Sequence, residues 1–73
     1  MTSSICQVND SLGAWEMSGD DVGSCAIASH WLKPGECVLI TGRLFHGSHV
    51  WVIARGQRML CYMGDIRDKV EYL

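Results

Sequence analysis

Seventy-three residues with 48% hydrophobic and 19% charged side chains and a single Pro specify a folded chain with one thin core. That length excludes multi-domain architectures, dinucleotide-binding halves and α/β barrels. The net charge of −2 is unevenly spread: Asp10, Glu16, Asp20 and Asp21 stand in the first 32 residues with no Lys or Arg, while all six basic residues follow. Nucleic-acid affinity comes largely from neutralised phosphates, so a net acidic chain with dispersed Arg disfavours that partner.

In chain order, the first dozen residues are polar apart from Ile5 and Val8, which predicts a loose tail or an edge strand. They lack the basic start and long apolar stretch of a secretory signal, and no run reaches the ~20 apolar residues that span a bilayer. The expectation is a soluble cytoplasmic protein with no membrane partner. Ser18-Gly19-Asp20-Asp21 is a strong loop signal. From there the pattern reads two ways: a short helix near residues 19–32 stopped by Lys33-Pro34-Gly35, or a strand over Cys25–Trp31 with Cys25, Ile27 and Trp31 on one face. Cys37–Thr41 is short, apolar and partly β-branched, hence a strand, and Pro34-Gly35 before it is a turn. Phe45-His46-Gly47-Ser48 supplies the next turn, and His49–Ala54 is the most β-rich stretch. Arg55-Gly56-Gln57-Arg58 reads as a tight hairpin into Met59–Met63, Gly64-Asp65 ends that strand, and residues 70–73 add a last short one.

Four or five short strands with brief turns predict a mainly β fold: a small five-stranded antiparallel barrel, which removes exposed edges. Its pieces resemble an SH3 domain over residues 25–73. Ala26-Ile27-Ala28 stands where that family has Ala-Leu-Tyr, Lys33-Pro34-Gly35-Glu36 where it has the Lys-Gly-Glu of the diverging turn, and Trp51-Val52-Ile53-Ala54-Arg55 where it has Trp-Trp-Leu-Ala-Arg. Gly64-Asp65-Ile66-Arg67 and Lys69-Val70 are similar to the family's Gly-Tyr-Ile-Pro and Tyr-Val. The resemblance implies an SH3-like barrel over 25–73 and one domain over 1–73, with residues 1–24 an acidic appendage. It does not imply proline-rich peptide binding: the long acidic loop has no room between Ala28 and Leu32, Arg67 replaces the Pro, Lys69 replaces the Tyr, and only Trp51 occupies a ligand position. An RNA-binding Sm-like barrel is the second candidate and lacks clear motifs here.

For chemistry, Cys6, Cys25, Cys37 and Cys61 form no Cys-x-x-Cys pair, and His46 and His49 are the only close pair of ligand types. No phosphate loop, nucleophile elbow or spaced triad occurs. The expectation is therefore no catalytic residue, no metal site and no cofactor. Six aromatics are too many for a minimal barrel to bury, and Trp, Tyr and Arg dominate interface hot spots. Candidate partner-binding residues are thus Trp15, Asp20, Asp21, Phe45, Trp51, Arg55, Arg58 and Tyr62. The expected function is a small non-enzymatic module that binds and modulates or inhibits a protein partner, such as a basic, nucleic-acid-handling protein whose phosphate groove the acidic segment would occupy. Size and charge resemble small bacteriophage and mobile-element accessory proteins, including anti-CRISPR proteins. The alternative is a small-barrel nucleic-acid binder that stacks bases on Trp51 and Tyr62 and holds phosphates with Arg43, Arg55 and Arg58. Pairing of two copies through Leu44, Phe45, Met59 and Met63 is compatible with either.

Overall fold

A computed structural model describes residues 4–19 and 23–73. The chain is mainly β, with strands β1 (Ser4–Val8), β2 (Leu12–Met17), β3 (Ala26–Leu32), β4 (Cys37–Phe45), β5 (His49–Ala54), β6 (Gln57–Tyr62) and β7 (Val70–Tyr72), and helix α1 (Met63–Lys69) between β6 and β7. All pairings are antiparallel, in the order β3-β2-β6-β5-β4-β1-β7. This is a seven-stranded open sheet and corrects the five-stranded closed barrel, because Ser4–Val8 and Leu12–Met17 are strands of the sheet rather than part of an appendage. β1 lies between β4 and β7, and β2 between β3 and β6. The sequence carried a faint signal for this: Cys6 and Val8, then Leu12 and Ala14, alternate across Asn9-Asp10 and are all buried. Residues 26–32 are strand, not the helix allowed over 19–32, and the one described helix follows β6 instead. No described helix is long and apolar enough to cross a membrane.

The turns follow from residue chemistry. Pro34 and Gly35, with Gly35 at φ 98° and Glu36 N donating to Lys33 O at 3.1 Å, make a type II turn. Val8 N donates to Glu36 O and Gly35 N to Val8 O, both at 2.8 Å, docking that turn on the end of β1. Arg55 (φ 55°) and Gly56 (φ 75°) are both left-handed, the two-residue turn whose twist matches the strands it joins, here with Ala54 opposite Gln57. β4 carries two extra residues against β5 between the Ile40–Val52 and Leu44–Val50 pairs, around Gly42 at φ 79°. An even insertion keeps the alternation of faces, so Leu44 stays with Ile40 and Phe45 points the opposite way. Thr41 locks this bulge: its Oγ1 donates to Trp51 O (2.8 Å) and accepts from Arg43 N (3.2 Å).

One face of the sheet holds the core, where Leu12, Leu32, Val52, Met59, Cys6 and Cys61 are fully enclosed. Each larger side chain contributes on the order of 1.5–3 kcal/mol by leaving water. Helix α1 inserts Ile66 into this core. It has no side-chain cap at Tyr62, so its stability comes from that insertion, aided by Asp65 in its first turn and Arg67 and Lys69 in its last. The opposite face also buries two residues, Trp51 and Leu60, outside the core cluster.

Candidate functional site

Trp15 on β2, Leu60 on β6 and Trp51 on β5 form a row across three strands, because Trp15 pairs with Leu60 and Leu60 with Trp51. At one end of the strands His49 sits opposite both Phe45 and Tyr62. The rings meet edge-on: Trp15–His49 at 6.0 Å, His49–Tyr62 at 5.5 Å, Phe45–Trp51 at 5.6 Å and Phe45–His46 at 4.3 Å between centroids. Edge-to-face geometry of this kind adds to the apolar contact. Four sequence-predicted residues, Trp15, Phe45, Trp51 and Tyr62, therefore share one face. Their exposure separates them: Trp51 is 2% exposed and forms the floor, whereas Trp15 at 36% and Tyr62 at 47% present ring surface outward. Gly64 makes room for the last of these, since a Cβ there would fall 2.6 Å from the Tyr62 ring.

A cleft of about 280 Å³ opens in this face, bounded by Trp15, Met17, Phe45, His46 and His49 over Leu60. No Lys, Arg, Asp or Glu lines it among the described residues. It has the size of one apolar or aromatic side chain rather than of a cofactor. His49, which joins the Trp15 and Tyr62 sides, stands in the sequence at the head of a strand and is not among the candidate binding residues. Its role depends on the β2–β6 pairing, which joins residues 45 positions apart and has no local signature.

The arginines lie elsewhere. Arg55 donates from Nε and Nη2 to the two Glu36 carboxylate oxygens, both at 2.8 Å, and from Nη2 to Trp31 O at 3.0 Å. That fork is a structural clamp between the β3–β4 turn and the β5–β6 hairpin. Arg58 is exposed on β6, opposite Ile53. Asp20 and Asp21 lie outside the described residues. Of the residues expected to pair two copies, Met59 is wholly buried and unsuited to contact.

The catalytic inventory is thin. Ser48 Oγ and His49 Nδ1 are hydrogen-bonded at 2.8 Å on an exposed turn, and no acidic group among the described residues bonds the imidazole. His30 Nε2 meets Glu16 Oε1 at 3.2 Å between β3 and β2. Burial, aided by Asp65, pushes the Cys61 thiol up to about 12, and burial also raises that of Cys6, which disfavours the thiolate at both. Cys25 and Cys37 are exposed free thiols. No three His, Cys, Asp or Glu among the described residues are grouped to hold a metal ion. Compared with protein-family models, curated proteins and solved structures, the chain matches none.

Proposed function

We propose that the protein is a non-enzymatic binding module that modulates or inhibits a protein partner through the aromatic face of its sheet. The observation that carries this reading is the uncharged cleft between Trp15, Phe45 and His49, floored by Leu60 and flanked by the exposed Tyr62 ring. Such a surface is suited to an apolar or aromatic anchor from another protein, the usual centre of an interface hot spot. A nucleic-acid reading needs cations beside the stacking rings. Here the cleft has no Lys or Arg in its lining, and Arg55 is committed to Glu36.

The test compares wild type with Trp15→Ala and Tyr62→Ala as baits in cells, followed by direct titration of the partner recovered. Each substitution is expected to weaken binding at least tenfold, the 1.4 kcal/mol or more typical of a hot-spot aromatic, with the circular dichroism unchanged. Equal affinity for all three proteins would overturn the reading. So would tight binding of single-stranded oligonucleotides that falls steeply with salt.

A further inference from the structure

Among the described residues, the core comes nearest to the surface at one place. Ile40, Val50, Ile66 and Val70 are the most exposed members of the core cluster, at 4 to 9%, and all four line a groove of about 410 Å³ on the face opposite the aromatic cleft. Leu44, Met63 and Tyr72 stand around it with large exposed apolar surfaces. The groove has a local origin. The two-residue insertion in β4 carries the chain past Gly42, which lines the groove and offers no side chain to fill it. Across it runs α1, which touches the core through Ile66. The lining contains one charged residue, Arg67, and among the described residues Arg67 has no hydrogen-bond or ion-pair partner. Asp68, its neighbour on α1, is exposed and does not line the groove.

We propose that this groove binds a single-chain carboxylate amphiphile, such as a medium-chain fatty acid. The alkyl chain lies on Ile40, Val50, Ile66 and Val70 and completes the core, and the carboxylate pairs with the Arg67 guanidinium at the rim. Charge selects the headgroup: a lone cation beside an apolar wall favours an anion and disfavours an ammonium of the same chain length. The volume lies in the range of small-molecule sites, and a flexible chain can follow a floor continuous with the core. This site is independent of the aromatic face, and Trp15→Ala is expected to leave it unchanged.

The probes are decanoate and decylammonium below their micellar concentrations, with affinity read by calorimetry and by the shift in unfolding temperature. Decanoate is expected to bind and to raise the unfolding temperature in a concentration-dependent way, because a ligand of the native state alone stabilises it by mass action. Decylammonium is expected to bind at least tenfold more weakly. Arg67→Gln, at an exposed position, should lose that preference by weakening decanoate alone. Leu44→Asp, also exposed, should weaken decanoate at least tenfold by placing a carboxylate at the rim while the protein stays folded. No binding of decanoate, equal binding of the two probes, or unchanged decanoate affinity in Arg67→Gln would each overturn the proposal.

Discussion

Glu36 accepts two hydrogen bonds from Arg55 and one from the Lys33 N–H of its own turn, at 2.6 Å. The Arg55 side chain first, and then the Lys33 amide, hold its carboxyl at about 2 against an ordinary 4.5. A carboxylate whose folded value is depressed binds its proton more readily in the unfolded chain. Its stabilising contribution is therefore complete above about 4.5 and disappears as pH falls toward 2. Denaturant midpoints measured between pH 6 and 2 should fall across that window, and Glu36→Gln should remove part of the fall while matching the wild type more closely at low pH. An identical acid limb in the two proteins would show that this clamp contributes nothing, as many exposed pairs do. The same residues give Arg55 a structural role that its sequence neighbourhood does not announce. Its neighbour Trp51 lies close in the chain, but its own clamp to Glu36 spans 19 positions.

At the scale of elements, turn chemistry and strand propensity were the legible parts. β5 occupies His49–Ala54 because its β-branched and aromatic run leaves little else for that segment to be. The turns at Pro34-Gly35 and Arg55-Gly56 could be read from their Pro and Gly. Each glycine with positive φ is a separate commitment: Gly56→Ala puts a Cβ into the left-handed region and should cost about 1–2 kcal/mol by chemical denaturation. Gly13→Ala is the contrast, because its methyl would meet the Trp31 ring at 3.6 Å, an ordinary contact, and strand glycines carry an entropic penalty. That variant is expected to be neutral or slightly stabilising. If both substitutions cost the same, the turn geometry does not set the difference. Three elements were hidden. α1 has Tyr62 at its cap without a capping bond and Gly64 in its first turn, so only Asp65 and the basic last turn mark it locally as a helix. β1 and β2 bury only two alternating residues each, Cys6 and Val8, then Leu12 and Ala14, a weak pattern until β4, β6 and β7 supply the other half of their pairing.

For the whole molecule, order of protection follows order in the sheet. β5 is paired on both sides and buried on both faces, through Val50, Val52 and Ala54 on one and Trp51 on the other. β3 and β7 are the outer strands, and β3 is exposed along nearly its whole length. Amide hydrogen exchange is therefore expected to be slowest in β5 and β6 and fastest at β3 and β7. Protection in β3 equal to that in β5 would require a cover that the sheet order does not provide. The aromatic face was legible as a list of large rings but not as a place. Its assembly depends on which strand lies beside β6, a property of the complete topology rather than of any segment.

The first strand and the last are neighbours: Cys6 stands opposite Tyr72, Gln7 opposite Glu71, and Leu73 N donates to Ile5 O at 3.1 Å. The start of β1 and the finish of β7 consequently leave the sheet on the same side. Tension applied to the chain beyond both strands would act across their shared ladder, at its open end. Hydrogen bonds in an antiparallel pair run perpendicular to the strands, so such a load reaches them one after another. The sheet would yield by unzipping from β7 at low force instead of resisting by shear, making this edge the mechanical fuse of the fold.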